Sequence, residues 1–302
     1  MTRLPQMALL PGGKRLHLQD GPIDLIVEAD GSEDEMRAAY RAAAQRFVGL
    51  LDELCEELAM LRQAADPHTC RLRGMVARRM HAAVAPFAAE KFITPMAAVA
   101  GSVAEEILGA MQGAARLDRA YVNNGGDIAL HLVPAAQFSV GVMDRPDRRG
   151  VMRTVLIHAD DAIGGIATSG RHGRSFSLGI ADAATVLAKT ASQADAAATI
   201  IANAVDLPGH AAVARCPASE LQVESDLGAR LVTREVGALS DGEIARALAA
   251  GADCAQGALA AGLIEGAALC LKGRITTVGL VRFDTSPSRG LHGRARESLM
   301  QA

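Results

Sequence analysis

The spacing of apolar residues changes near residue 119, and that change limits the fold more than any other feature of the chain. Arg119 to Asn123, Asp127 to Val133 and Gln137 to Met143 are short β-rich runs. Between them lie Asn124-Gly125-Gly126 and Pro134-Ala135-Ala136, both turn-forming strings. Strands joined by connections this short pair antiparallel, so the three runs are expected to form a meander. The same signal recurs towards both ends. Lys14 to Leu18 and Ile23 to Ala29 flank Asp20-Gly21-Pro22, and Leu269 to Leu271 and Ile275 to Leu280 flank Lys272-Gly273. Further strands are read at Met152 to His158, in a run ending at Thr168-Ser169-Gly170, at Thr185 to Ala188 and at Arg230 to Thr233.

Long helical patterns separate these sets. From Glu33 to Leu61 apolar residues recur at helical spacing, and Ser32 with Glu35 makes a capping box at the start. Asp66-Pro67 stops it. A shorter helix is expected from Arg71 to Val84, closed by Pro86. Pro95 suits the first turn of a helix running to Ala114, one side of which is Ala and Gly. Two more are read from Ser192 to Val205 and from Ser240 to Leu263. Hairpins alternating with helices predict an α+β fold of antiparallel sheets packed with long helices. There is no tandem repeat and no linker-like stretch, so residues 1–285 read as a single domain, which two intimate halves could compose. Residues 286–302 are polar and basic and read as a disordered tail.

Composition narrows the partners. Aromatic residues make up 3% of the chain and Trp is absent, which removes the stacking platforms of single-strand nucleic-acid binders. The net charge of −3 argues likewise against a nucleic-acid footprint. Arg145, Arg148, Arg149 and Arg153 cluster near a turn and read as a solvated loop. No apolar run is long enough to cross a bilayer. The five cysteines show no metal-ligand spacing and read as reduced core thiols of a cytoplasmic protein. The Ala/Gly-faced helices and apolar strands exceed the needs of one compact core, so a homodimer is expected.

Three strings could carry chemistry, and each also has a plain structural reading. Asn123-Asn124-Gly125-Gly126-Asp127 is either a hairpin turn or a turn whose exposed amides face an anion or a ring system. Thr168-Ser169-Gly170-Arg171-His172 puts hydroxyls, a glycine and two potential cations at a strand end, which suits a phosphate or makes a polar loop. Asp195 and Thr199 lie one helical turn apart, so their oxygens can project together towards a hard cation such as Mg²⁺. Alternatively, Asp195 is an acid favoured by the helix dipole.

The order of these strings resembles the ApbE-like superfamily, which includes the FAD:protein FMN transferases. The family shows an x-x-G-G-D/N turn, an A-T-S-G segment and a V-T-V-x-A strand leading into A-D-A-L-A-T-A. The matching residues here are Asn124 to Asp127, Ala167 to Gly170, Ala184 to Ala188 and Ala194 to Ile200. Thr94-Pro95-Met96-Ala97-Ala98-Val99-Ala100-Gly101, with Gln19 to Leu25, is similar to a separate branch of that superfamily and extends the likeness from Arg15 to Leu280. The resemblance implies a T-fold-like architecture, Mg²⁺ held by Asp195 and Thr199, and a ligand contacted by Asn124, Gly125, Gly126, Asp127, Thr168, Ser169 and Gly170. It implies FAD or, through the T-fold, a pterin-like ligand of one-carbon metabolism, so the partner is a small nucleotide or heterocycle; a non-catalytic binding or assembly protein that keeps the fold without the chemistry is the third reading. Two departures stand out. Ala100-Gly101 occupies the place of the transferases' Lys-Gly, and Ser177 to Ala183 lacks their His, Pro and Thr-Gly, so the resemblance assigns no catalytic residue.

Overall fold

A computed structural model describes residues 4–142, 153–281 and 300–301 of the chain. The chain opens with β1 (Gln6–Leu9), β2 (Arg15–Asp20) and β3 (Ile23–Asp30), paired antiparallel in that order. Leu16 and Leu18 on β2, and Ile23, Leu25, Val27 and Ala29 on β3, are buried on alternate positions. One face of the sheet is therefore apolar, and each fully buried leucine there contributes about 2 kcal/mol.

That face is covered by α1 (Glu33–Phe47), which starts where the Glu35 N–H donates to the Ser32 hydroxyl. The single helix expected over 33–61 is instead three pieces: α1, α2 (Leu50–Glu56) and α3 (Leu58–Leu61). Gly49, at φ 80°, breaks it, because a left-handed residue cannot continue a right-handed helix. Next comes α4 (Met75–Ala88), which starts later than expected and contains Pro86. The Glu57 carboxylate accepts the N–H groups of Arg73 and Gly74, both at 2.7 Å, and so fixes the start. Pro86 sits in the last turn, where its missing N–H costs one bond and few residues follow. A single 3₁₀ turn, Pro95–Ala98, then leads into α5 (Val99–Ala114).

β4 (Arg119–Asn124) and β5 (Asp127–Leu132) form the expected hairpin. The meander ends there. β6 (Gln137–Val142) leaves the sheet and pairs with β7 (Arg153–His158), while Met300–Gln301 lies parallel to β6. Ala135, at φ 70°, turns the chain out. Phe138, Val140, Val155 and Ile157 then cover Tyr121, Ile128, Leu130 and Ile166 on the face opposite the helices. The place beside β5 goes to β8 (Gly165–Ser169), followed by β9 (Ala183–Ala188) and α6 (Ala191–Ala204). An excursion carries β10 (Val213–Pro217), α7 (Ala218–Leu221) and β11 (Leu231–Val236), of which only part of β11 is legible in the sequence. The chain returns through α8 (Asp241–Ala260) to the hairpin β12 (Gly266–Leu271) and β13 (Arg274–Gly279).

The result is a mixed α+β architecture around a nine-stranded sheet of order β1-β2-β3-β4-β5-β8-β9-β12-β13, with every pairing antiparallel. Its topology repeats. A hairpin, a packed helix pair and a second hairpin occur first as β2-β3, α1 with α5, and β4-β5. They occur again as β8-β9, α6 with α8, and β12-β13. The halves meet where β5 pairs with β8 through Ile128↔Ile166 and Ala129↔Gly165.

Among the described residues no helix is long and apolar enough to cross a membrane. The expectation of five core thiols fails for two: Cys55 and Cys70 are exposed, because one lies on the outer side of α2 and the other in the loop before α4. The small-residue face of α5, one ground for expecting a homodimer, is filled within the chain, since Gly101 packs directly on the start of α6. Arg145, Arg148, Arg149 and nearly all of the basic tail lie outside the described residues.

Candidate functional site

The seam between the halves is where the singled-out strings converge. Gly125 and Gly126 make the β4–β5 turn at φ 64° and 116°, values open to glycine and strained for other residues. The Gly126 N–H donates to Asn123 Oδ1 at 2.8 Å. Asn124 is buried on the helix side of the sheet, where its amide donates to the Ala100 carbonyl at 3.2 Å. Its register partner, Asp127, lies on the same side.

Asp195, in the second turn of α6, reaches the start of α5. The Gly101 N–H donates to Asp195 Oδ2 at 2.9 Å, and the Ala100 N–H also bonds the carboxylate. The Pro95-to-Gly101 string thus has a physical account. It turns from a 3₁₀ turn into an α-helix at the point where two first-turn amides meet a carboxylate, and its glycine lets α6 come close. A β carbon on Gly101 would lie 2.3 Å from the Ala191 carbonyl oxygen.

Asp127 and Asp195 therefore come from different halves and face each other's charge. Burial pushes the Asp127 carboxyl up to about 7, against the Thr168 N–H bonded to its Oδ1 at 3.3 Å and the charge of Arg174. Burial also pushes Asp195 well above the usual carboxylate range, Asp127 pushes it further, and the two α5 amides oppose both. Neither residue is sealed off: both are crowded by protein yet keep partial solvent access. The pair predicts a pH dependence. A carboxyl raised in the folded state stabilises the fold fully below its unfolded value near 3.8, and that contribution is lost as pH rises through about 7. The stability of the metal-free protein relative to Asp127→Asn should fall between pH 4 and 8, measured by urea denaturation. Parallel curves would show that the carboxyls are not strained.

The other expected residues divide. Thr199 is half-buried one turn beyond Asp195. The Thr168 hydroxyl bonds the Thr185 hydroxyl at 2.8 Å, and alternation with Ile166 puts it on the face away from the helices. Ser169 faces the helix side. Gly170 lies against the Asp182 carbonyl, where a β carbon would be 2.6 Å from the oxygen. The two cations expected to meet a phosphate are already engaged. Arg171 Nε (2.8 Å) and Nη2 (2.5 Å) both donate to Asp182 Oδ1, and His172 Nε2 lies 3.2 Å from the same oxygen. Asp182 is buried and also accepts the Lys272 N–H at 2.5 Å.

The segment standing where the transferases carry their His, Pro and Thr-Gly is packed as core. Asn203 Oδ1 accepts the Leu178 N–H at 2.9 Å, and the Ile180 N–H donates to the Val205 carbonyl at 2.8 Å. Glu105, one turn along α5 from Gly101, accepts from the Ser192 hydroxyl at 2.8 Å and pairs with Arg79 at 3.0 Å, so it secures the start of α6. A shallow cavity of about 620 Å³ lies elsewhere, between α8 and β13, lined by Leu248, Ala252, Asp253 and Ile275 among others. It has none of these features, and the convergence of acids, amides and glycines marks the seam instead.

An open antiparallel sheet with helices on one face, and two mutually repelling carboxyl groups at its midline, defines the class: an α+β protein of duplicated ββααββ design. The chain belongs to the family described as AbpE bacteria, whose profile matches residues 7–277. It is similar to a UPF0280 protein of Methanopyrus kandleri, with 31% identity over 185 residues that cover 60% of this chain and 69% of the relative. UPF0280 proteins of Methanosphaerula palustris and Archaeoglobus fulgidus are 36% and 39% identical over 152 and 117 residues. Those matches cover 46% and 37% of this chain, and the chain spans only about half of each of these two relatives (56% and 45%).

Proposed function

We propose that the chain binds a phosphorylated bicyclic heterocycle, a flavin nucleotide in the first instance, together with Mg²⁺ at the seam between two T-fold-like halves. The observation that carries this reading is the Asp127–Asp195 pair: two crowded carboxylates raised by burial, which a divalent cation would neutralise. The donor set fits Mg²⁺ in a particular way. Among the described residues no group of three or more acidic, His or Cys side chains surrounds a point, so no all-protein cage exists. Mg²⁺ seldom needs one, since it takes one or two carboxylates and completes its shell with water and ligand phosphates. Asp195, Asp127 and Thr199 would hold the ion, and the glycines of the β4–β5 turn would let a ligand approach the backbone. Bound there, the ion would supply charge neutralisation at a phosphate.

Flavin transfer is less well supported than binding. Ala100 stands where the transferases have lysine, and the Ser177 to Ala183 segment is used for packing. The duplicated ββααββ topology is what supports the T-fold reading, and with it a pterin-like ligand as the second possibility. Thermal shift against FAD, FMN, GTP and reduced pterins, each with and without Mg²⁺, separates them, because a ligand selective for the native state raises its stability. A Mg²⁺-dependent shift with FAD or FMN is expected. A shift with pterins or GTP and none with flavins would overturn the flavin assignment.

A further inference from the structure

One cation near the acid pair is not used by the packing of the loop that carries it. Arg171 and His172 are held by Asp182, whereas Arg174, three residues on from Arg171, is exposed and makes no direct ion pair among the described residues. Its guanidinium lies on the β4–β5 turn instead. A β carbon on Gly125 would be 1.6 Å from Arg174 Nη2 and 2.6 Å from Cζ, so the group occupies the space that any other residue at 125 would fill. From there its charge acts on Asp127. The loop thus brings an exposed, permanently charged group to the edge of the acid pair, at the turn where a ligand is expected to approach.

We propose that Arg174 is the stand-in counter-ion of Asp127, and that a divalent cation held between Asp127 and Asp195 takes over this role and frees the guanidinium to bind the phosphate of the incoming ligand. This rests on the metal reading above and adds a specific residue and an order of events. Two cations that serve the same carboxylates oppose each other's binding. An anion that bridges metal and arginine is gripped by both, and a planar guanidinium suits phosphate oxygens. Arg174 is therefore a positioning residue for ligand phosphate, and Gly125 is the residue that lets it rest on the turn.

The test compares Mg²⁺ alone with inorganic pyrophosphate at saturating Mg²⁺, both by calorimetry, on the full chain and on Arg174→Ala and Arg174→Lys. The alanine variant should bind Mg²⁺ about tenfold more tightly. It should bind pyrophosphate about tenfold more weakly. Arg174→Lys should restore the original Mg²⁺ affinity and recover pyrophosphate only in part. Opposite shifts for cation and anion are not produced by a loop that merely loses order, which weakens both. Unchanged or weaker Mg²⁺ binding by Arg174→Ala, with binding intact in the original chain, overturns this inference alone. Absence of Mg²⁺ binding in every form overturns the metal reading and the inference together.

Discussion

Asp195→Asn is expected to weaken Mg²⁺ binding by about a hundredfold or more while leaving the fold intact. The two consequences separate because the carboxylate has two tasks. As an acceptor it satisfies the N–H groups of Ala100 and Gly101 at the start of α5, with the Gly101 bond at 2.9 Å. The amide oxygen of asparagine can do the same. As a charge it would attract a cation, which asparagine cannot replace. The neutral side chain should even relieve the metal-free protein at pH 8, since burial and Asp127 both disfavour the charged form. Asp195→Ala is the less informative variant: it also leaves two first-turn amides without their acceptor, a cost of about 1–3 kcal/mol for each one buried. Calorimetric titration with Mg²⁺, alongside a melting curve, reads both tasks. Full Mg²⁺ affinity in Asp195→Asn would remove this residue from the proposed metal site.

Gly165→Ala should lower the melting temperature by about 5–10 °C, equivalent to about 3 kcal/mol. A β carbon there would lie 2.2 Å from the backbone nitrogen of Ala191 and 2.3 Å from its Cα, so main chain rather than a flexible side chain must move. From the other side Gly101 touches the Ala191 carbonyl oxygen. The first residue of α6 is held between β8 and α5, and displacing it shifts Asp195 within the same helix, so Mg²⁺ affinity should fall along with stability. Gly113→Ala is the control. Gly113 lies in α5 with nothing within 4 Å of its added methyl, and the change should stabilise the protein by about 0.5–1 kcal/mol. Equal effects of the two substitutions on melting temperature would show that the close approach of α6 is not needed.

The sequence makes the hairpins and the ends of most helices readable, because turn glycines and caps act locally. Asn124-Gly125-Gly126-Asp127 specifies its turn with two residues that accept positive φ, and Ser32 specifies the start of α1 with a single hydroxyl. What local signals do not carry is which strand becomes the neighbour. β6 has the same appearance as β4 and β5, yet its partner lies in a second layer, because Phe138 and Val140 find apolar cover only across the sheet. The internal repeat is also hidden: the halves share topology without a shared string, since packing needs apolar residues in pattern and not in identity. The acids show the same limit. Asp127 and Asp195 are visible singly, but their mutual charge follows from two distant elements meeting. The Pro95-to-Gly101 string was the available hint, and its meaning becomes clear once its amides are seen on Asp195.

The seam has a mechanical meaning. Most neighbouring strands of the sheet are laced along four to six residues, whereas β5 and β8 pair through two. A sheet so lightly stitched at its midline leans on what packs against it: α6 lies on β5 as well as on β8 and β9, and the β6–β7 layer covers Ile128 and Ile166 from the other side. The protein is closer to two plates fastened by a bolt, α6, on one face and by the β6–β7 layer on the other than to a single plate. Asp195 is carried on the shank of that bolt and Asp127 on the edge of one plate, so an ion gripped by both would act as the washer that stops the plates from rocking.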